Sequence, residues 1–301
     1  MSASEKEFVY APKKDFDADA CFDALTDEMK KRVQAVFDAA EAGLKKAEGI
    51  ASIGKIAAFD ADGTLWGGDL GEKAFTEAAE KGPIKWDVVQ KPLTAFADKY
   101  GVKLPDDKET ALAKLVEAYE MGHFTHAGRG KGMDDREINA DVYAMQAWLY
   151  AGSTMKERRE YGERMMEEGL FDRIFPETRA VVTGLKKRGF QCIVVSASER
   201  EMLKPGARSV GFDDDDVFGM ELKVEDGKAT TDLVHTTYAK GKVDLMKAVH
   251  KARPLIAFGD SVLGGDRELF EIAPIRVAVR PKSGPNREAA EAAKFLILEG
   301  E

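Results

Sequence analysis

The stretch IAAFDADGT, residues 56–64, decides the fold of this chain. Its apolar part, residues 56–59, is continuous rather than alternating and is too short for a typical helix. Such a run is typical of a strand buried on both faces of a parallel sheet. Two carboxylates, Asp60 and Asp62, follow at the end of the strand, where ligands bind in open α/β sheets. The stretch therefore predicts a buried strand that delivers acidic side chains to a ligand-binding edge.

Three further apolar runs have the same character, at residues 192–195, 255–258 and 275–279. Helical patterns precede two of them, at residues 178–188 and 243–251. The alternation of short buried strands with helices is typical of an open, doubly wound parallel sheet with right-handed crossovers. We therefore expect an α/β fold.

The gap between the first two runs, residues 70–172, is much longer than a crossover requires. It contains helical patterns at residues 108–120, 141–150 and 154–168 and almost no strand pattern. Since a crossover needs only about a dozen residues, the remainder predicts a second, mostly α-helical domain inserted into the first. We place the inserted domain at residues 70–171 and the sheet domain at residues 51–69 and 172–301.

Two smaller features complete the organisation. Apolar residues recur at helical spacing over residues 23–47, which predicts an amphipathic helix within an N-terminal helical extension, residues 1–50. The pair Asp226-Gly227 lies between β-prone flanks, which predicts a small inserted hairpin at residues 219–233.

The composition indicates a globular protein with no general affinity for polyanions. The 301 residues are 44% hydrophobic and 33% charged, and the net charge of −9 has the wrong sign for a nucleic-acid or anionic-membrane binder. No apolar stretch has the length of a signal peptide or a membrane span, so a soluble cytoplasmic protein is expected. The two cysteines, Cys21 and Cys192, are expected to be reduced thiols. The sequence does not indicate an oligomeric state.

Acidic and hydroxyl side chains follow three of the predicted strands. Asp60 and Asp62 follow the first, Ser196 the second and Asp260 the third. Two carboxylates on one side of a strand end repel each other and raise each other's pKa, a cost that a bound cation relieves. Because oxygen ligands with retained waters suit Mg²⁺, we expect a magnesium site that includes Asp260.

Four ordered segments carry a family resemblance. They are FDADGTLW at residues 59–66, the strand that ends at Ser196, the pair Gly241-Lys242, and FGDSVLGGD at residues 258–266. These segments resemble the motifs of the haloacid dehalogenase superfamily, within its phosphoserine-phosphatase-like branch. The resemblance implies a Rossmann-like core with a helical cap inserted after the first motif, which is where the helical insert is predicted.

The resemblance also implies a Mg²⁺-dependent phosphomonoesterase that hydrolyses a small phosphorylated metabolite, similar to phosphoserine or phosphocholine, through an aspartyl-phosphate. Asp60 would be the nucleophile, and Asp62 would protonate the leaving group and then deprotonate the attacking water. One oxygen of Asp60, the backbone carbonyl of Asp62, and Asp260 would hold the metal. Ser196 would hydrogen-bond a phosphoryl oxygen, with Ala197 beside it in the substrate site.

By the same resemblance, Lys242 would contact both the phosphoryl group and the nucleophile, next to Gly241 in the substrate site. Lys240 is the alternative lysine. Asp266 departs from the family pattern, because it lies six residues after the metal-binding Asp of the same motif rather than four or five. It would either bind Lys242 and hold it in position or contact the metal through a water molecule.

Substrate specificity is expected from the cap. Asp69 lies at about the place of the glutamate that meets the substrate amine in phosphoserine phosphatases, and Trp66 and Asp69 together could bind a quaternary ammonium. Trp66 is equally compatible with the hydrophobic core at the cap connection. Arg129 or Lys131, in a glycine-rich and flexible segment, would meet a substrate carboxylate or phosphate when the cap closes.

Three other activities stay open at this point. Haloacid dehalogenation or phosphoryl transfer would use the same fold and Asp60, although dehalogenases do not usually keep a second acid such as Asp62. A serine esterase would use Ser261 as its nucleophile, with Asp232 and His235. This last alternative is less favoured, because the order of its motifs along the chain is wrong for that family.

Overall fold

The computed structural model describes residues 15–169, 173–281 and 284–300. In these ranges the chain forms seven strands, β1 (Ile53–Phe59), β2 (Gln191–Glu199), β3 (Val217–Glu225), β4 (Lys228–His235), β5 (Arg253–Gly259), β6 (Ile275–Val279) and β7 (Leu296–Leu298). They form one sheet in the order β4-β3-β2-β1-β5-β6-β7. Neighbouring strands are parallel except for β3 and β4, which are antiparallel.

The same ranges contain fourteen α-helices, α1 (Ala18–Asp23), α2 (Asp27–Ala47), α3 (Leu70–Thr76), α4 (Ala78–Lys81), α5 (Trp86–Lys99), α6 (Lys108–Glu120), α7 (His123–Gly130), α8 (Asp135–Trp148), α9 (Met155–Glu167), α10 (Pro176–Lys187), α11 (Arg200–Val210), α12 (Lys240–Val249), α13 (Arg267–Ile272) and α14 (Pro285–Ala292). The predicted α/β class is confirmed, and β1, β2, β5 and β6 lie at the four predicted apolar runs. None of the described helices is long and apolar enough to cross a membrane.

The centre of the sheet is β1, between β2 and β5. At its end Phe59 pairs in register with Val194 of β2 and with Phe258 of β5. The rings of Phe59 and Phe258 stack with their centroids 4.1 Å apart, and both side chains are completely buried. The three strands are parallel, and β1 and β5 end at this level while β2 continues to Glu199. The residues beyond this level therefore meet at one edge of the sheet.

Eight helices, α3–α10, lie between β1 and β2, seven of them, α3–α9, before residue 171, and no strand is found among the described residues of this segment. The insert packs on the core through α9, which lies along α11. A Cβ at Gly162 of α9 would come within 2.5 Å of the carbonyl oxygen of Met202, so glycine allows the two helices to approach. Arg158 and Glu199 form an ion pair across this contact at 3.2 Å, with only 3% of each side chain exposed. The division into domains at residues 70 and 171 stays a prediction.

The two ends of α8 are attached to the core differently. After its C-terminal end, Gly152 donates a backbone hydrogen bond to Ala229 of β4 at 2.7 Å, and Ala229 donates one to Ser153 at 2.9 Å. At its N-terminal end, Arg136 forms an ion pair with Glu268 of α13 at 2.7 Å, and 44% of the Arg136 side chain is exposed. Helix α8 is therefore held to the core by backbone hydrogen bonds after its C-terminal end and by a partly exposed ion pair at its N-terminal end.

The predicted hairpin is present, with Asp226-Gly227 at its turn, but it is not a separate insert. Its first strand, β3, is parallel to β2, and Val194 pairs with Val217. The reason is that the first half of β3 is apolar and buried, whereas only the second half projects as an antiparallel pair with β4. The short strand β7 was also not predicted, because three residues carry too weak a pattern.

The N-terminal segment forms α1 and α2 in place of the single predicted helix, and Thr26 caps α2 through its side-chain oxygen. Helix α2 packs on the core rather than on the insert. Phe37 is buried against Gly184 of α10, where a Cβ would lie 2.3 Å from the ring. The first 14 residues of the predicted extension lie outside the described residues.

Candidate active site

The residues that follow the central strands surround one cavity of about 470 Å³. Asp60 and Asp260 reach it from just after β1 and β5, and Ser196 reaches it from within β2, which continues three residues beyond the predicted end at Ser196. Lys242 reaches it from the first turn of α12, and Asp266 from the residue that precedes α13. The structure thus brings together candidate residues from all four sequence motifs.

Lys242 is an ammonium group bound between two carboxylates. Its Nζ donates hydrogen bonds to Oδ1 of Asp60 and to Oδ1 of Asp266, each at 2.6 Å, and 2% of the side chain is exposed. Burial alone would lower the pKa of Lys242, but Asp266 and Asp60 raise this pKa above its ordinary value. Lys240 is exposed and pairs with Asp244, so Lys242 is the lysine of the cavity.

Asp266 orients both Lys242 and the loop after β5. Its Oδ1 accepts from Lys242, and its Oδ2 accepts from the backbone N–H of Ser261 at 3.2 Å. A Cβ at Gly259 would lie 2.4 Å from Oδ2 of Asp266, so the carboxylate lies directly against the end of β5. This geometry favours the role as partner of Lys242, the first of the two roles considered for Asp266.

Three carboxylates form a group that fits a cation. One carboxylate oxygen from each of Asp60, Asp260 and Asp266 lies within 4.8 Å of the others. Burial and Asp266 raise the pKa of Asp60 well above its ordinary value, although Lys242 opposes this shift. The group therefore holds more negative charge than one lysine offsets. Hard oxygen donors of this kind suit Mg²⁺, Ca²⁺ or Mn²⁺.

Asp62 faces the same cavity in a different environment. Its Oδ1 accepts hydrogen bonds from the indole N–H of Trp66 and the backbone N–H of Leu70, both at 2.8 Å, and its Oδ2 accepts from Ser198 Oγ at 2.7 Å. Burial and the charge of Asp69 raise the pKa of Asp62 to about 7 in spite of these donors. The Asp62 side chain binds these neutral donors and is not one of the three carboxylates that fit a cation.

Ser196 lines the cavity, and Gly241 allows a close backbone contact just before Lys242. Ser196 lines the cavity beside Ala197, and its Oγ accepts from the backbone N–H of Ser198 at 3.2 Å, so the hydroxyl can donate its proton to a ligand. A Cβ at Gly241 would lie 1.7 Å from the carbonyl oxygen of Thr236. Only glycine fits there, and this close approach starts α12 where Lys242 can enter the cavity.

The structure does not bring every predicted substrate residue to the cavity. Trp66 is completely buried, and its ring packs against Gly206, where a Cβ would lie 2.9 Å away. The segment of Arg129 is helical, as α7, and its guanidinium binds the carboxylate of Asp135, with Nε–Oδ1 at 2.6 Å. Lys131 donates to the backbone carbonyl of Lys99. Trp66 is therefore part of the hydrophobic core, and Arg129 and Lys131 are absent from the described lining of the cavity.

Asp69 does line the cavity, together with residues that sequence reasoning missed. These are Glu72, Asn139, Tyr143, Ser198 and Tyr238. Ser198 had a signal, since residues two apart on a strand share a face and Ser196 was already a candidate. The tyrosines had none, because their place depends on how α8 and the loop before α12 pack together.

The proposed serine esterase residues are not assembled in one place. Ser261 lines the cavity, whereas His235 lines a neighbouring groove between α8, β4 and α12. Asp232 is exposed and belongs to neither described lining.

Comparison with known proteins agrees with this fold. The model of the haloacid dehalogenase-like hydrolase family matches residues 57–271. A Mycobacterium tuberculosis protein (strain H37Rv) described as a "probable phosphatase" is 30% identical over 122 residues, which cover 39% of this chain and 41% of that protein. The chain thus spans well under half the length of the curated relatives that it matches.

Two solved structures share the fold at low sequence identity. A protein of unknown function from Bordetella pertussis Tohama I aligns with a TM-score of 0.57 and 20% identity, over 81% of this chain and 97% of that one. A functionally unknown protein from Anaerococcus prevotii DSM 20548 aligns with a TM-score of 0.53 and 15% identity, over 80% of this chain and 84% of that one. With the family model matched over more than half of its length, the chain belongs to the haloacid dehalogenase-like hydrolases.

Proposed function

We propose that this chain is a Mg²⁺-dependent phosphomonoesterase, of the phosphoserine-phosphatase-like branch, that hydrolyses a small phosphorylated metabolite through an aspartyl-phosphate on Asp60. One observation carries the proposal. Asp60 and Asp62 face one cavity in different environments, since Asp60 binds the ammonium of Lys242 and Asp62 binds neutral donors. Two carboxylates in different environments can divide the roles of nucleophile and proton donor. The "probable phosphatase" among the relatives supports the same class of reaction.

The reaction has two half-reactions on these residues. An oxygen of Asp60 attacks phosphorus, the bond from phosphorus to the alcohol oxygen breaks, and Asp62 donates its proton to that oxygen. Asp62, now ionised, takes a proton from a water molecule as that water attacks phosphorus. The bond from phosphorus to Asp60 then breaks, and inorganic phosphate leaves.

The remaining residues bind the phosphoryl group. The hydroxyl of Ser196 donates to a phosphoryl oxygen, and Lys242 places positive charge beside it while Asp266 orients the ammonium. Mg²⁺, held by Asp60, Asp260 and the backbone carbonyl of Asp62, would supply the charge that lets a carboxylate approach an anionic phosphate.

The test is turnover of p-nitrophenyl phosphate. Activity should disappear with a chelator and return with Mg²⁺, and Asp60→Asn should be inactive although it is nearly the same size. Asp215→Asn is the matched control, because Asp215 is exposed and lies outside the described lining of the cavity. Undiminished turnover by Asp60→Asn would refute the mechanism. Hydrolysis of p-nitrophenyl acetate that is lost in Ser261→Ala and kept in Asp60→Asn would instead support the esterase alternative.

A further inference from the structure

We propose that the alcohol released from phosphate carries a positive charge and no carboxylate, so that the substrate is the phosphate monoester of an amino alcohol. This inference rests on the proposed phosphomonoesterase activity and concerns the part of the cavity beyond Asp60 and Asp62. Three observations carry it: the charge of the cavity, its aromatic wall, and the place of the nearby basic residues.

The first observation is the charge of the cavity. Among the described residues that line it, Lys242 is the only basic one, and six are acidic: Asp60, Asp62, Asp69, Glu72, Asp260 and Asp266. Lys242 is already bound to two of these carboxylates. A divalent cation would offset part of the remaining charge and leave an excess of negative charge. A leaving group with a negative charge is repelled by this excess, and one with a positive charge is attracted.

The second observation is the aromatic wall of the cavity, formed by Tyr143 and Tyr238. Tyr143 and Tyr238 line the cavity with their ring centroids 5.1 Å apart, and Asn139 donates a hydrogen bond to the hydroxyl of Tyr238 at 3.1 Å. Asp69 lines the same cavity as the two rings, and after burial its charge is the largest cause of the raised pKa of Tyr143. Aromatic rings together with a carboxylate are the surroundings that bind alkylammonium groups.

Asp69 is also fixed in place. It caps α3, and its Oδ1 accepts from the backbone N–H of Glu72 at 2.7 Å. A Cβ at Gly71 would lie 3.4 Å from Oδ1 of Asp69 and 2.7 Å from Oγ of Ser198, which donates to Asp62, the proposed proton donor to the leaving oxygen. A cation a few bonds from that oxygen, as in an ethanolamine or choline ester, therefore lies within reach of Asp69.

The third observation concerns a substrate carboxylate such as that of phosphoserine. Such a group needs a cationic partner beyond the phosphate site. Arg129 and Lys131, which the sequence suggested for this role, are bound to Asp135 and to the carbonyl of Lys99. The described lining offers no second basic side chain. The size of the cavity, about 470 Å³, is in the range for a small ligand.

The experiment compares kcat/KM for three esters in the presence of Mg²⁺: phosphocholine, phosphoserine, and neohexyl phosphate, in which carbon replaces the choline nitrogen. We expect phosphocholine to exceed its neutral isostere by about tenfold to hundredfold, the range of one charge-assisted contact. Phosphoserine should be the poorer of the two charged substrates. Inorganic phosphate release measures all three.

Asp69→Asn separates charge from structure, because asparagine also caps helices well. It should remove most of the preference for phosphocholine over neohexyl phosphate, measured as the ratio of the two kcat/KM values in that variant. Tyr143→Leu should weaken the same preference. Glu109→Gln is the matched control, since Glu109 is exposed on α6 and outside the described lining, and the preference should persist.

The wild-type comparison decides the matter even if a variant fails to fold. Equal kcat/KM for phosphocholine and neohexyl phosphate, or a preference for phosphoserine, would overturn the inference and leave the phosphatase activity standing. If the wild type hydrolyses none of the three esters and no p-nitrophenyl phosphate, the proposed function fails and the inference fails with it.

Discussion

Replacing Lys242 by methionine tests the charge arrangement at the base of the cavity. Methionine keeps most of the side-chain volume but removes the ammonium that bridges Asp60 and Asp266. Both carboxylates then lack their cation in a buried place, since Asp60 is 8% and Asp266 2% exposed. Removal of one partner of a buried pair costs about 3–5 kcal/mol. For a chain of this size that corresponds to a fall in melting temperature of about 6–10 °C.

The loss should depend on pH. Burial and Asp266 already raise the pKa of Asp60, and removal of the ammonium raises it further. A carboxyl group whose folded-state pKa is raised contributes stability at low pH, and this stability is lost as pH rises through the folded-state pKa. The deficit of Lys242→Met relative to wild type should therefore be small near about pH 5 and larger near about pH 8.

The assay is thermal unfolding, followed by circular dichroism in metal-free buffer at both pH values. Lys240→Met is the matched control, two residues earlier in the same helix, because the Lys240 side chain is 79% exposed and its ion pair with Asp244 is on the surface. It should change the stability by no more than about 0.5 kcal/mol. If Lys242→Met is as stable as Lys240→Met, or loses more stability at low pH than at high pH, the reasoning is refuted.

Three further predictions follow from single contacts. Burial raises the pKa of Cys192 to about 12, so iodoacetamide at neutral pH should label the half-buried Cys21 alone, as mass spectrometry of the native protein will show. Phe37→Ala should cost about 3–5 kcal/mol in the free energy of unfolding, because the ring fills the contact between α2 and α10. Ser198→Ala removes one hydrogen-bond donor from Asp62 and should lower kcat about tenfold with little change in KM. Values of kcat and KM equal to those of the wild type would contradict a role of Ser198 in catalysis.

Much of the sheet could be predicted because its central strands are continuous apolar runs, which bury on both faces and need no distant information. Their ends placed Asp60, Ser196 and Asp260 together for the same reason. The first half of β3 was harder to recognise, because Gly219 interrupts a short apolar run that continues directly into the hairpin.

The cap residues could not be predicted from local patterns. In the sequence, Trp66 is compatible with a cation-binding site and with the hydrophobic core. The packing of α11 against its ring decides for the core. The sequence suggests that Arg129 is a mobile cation. In the structure Arg129 lies in α7 and binds the carboxylate of Asp135. Tyr143 and Tyr238 come from distant parts of the chain, so their shared wall exists only after the insert packs on the core.

The unequal attachment of α8 has a mechanical consequence. Its fourteen residues span about 21 Å at the usual rise per residue. At one end two backbone hydrogen bonds join Gly152 and Ser153 to Ala229. At the other end the ion pair of Arg136 and Glu268 is partly exposed, with side chains 44% and 17% exposed, and contributes about 1 kcal/mol. We therefore expect α8 to separate from the core first at Arg136, which would draw Asn139, one turn further along, away from Tyr238. We expect substrate to enter and product to leave at this end of α8. A change that stiffens it should slow product release more than it slows the chemical step.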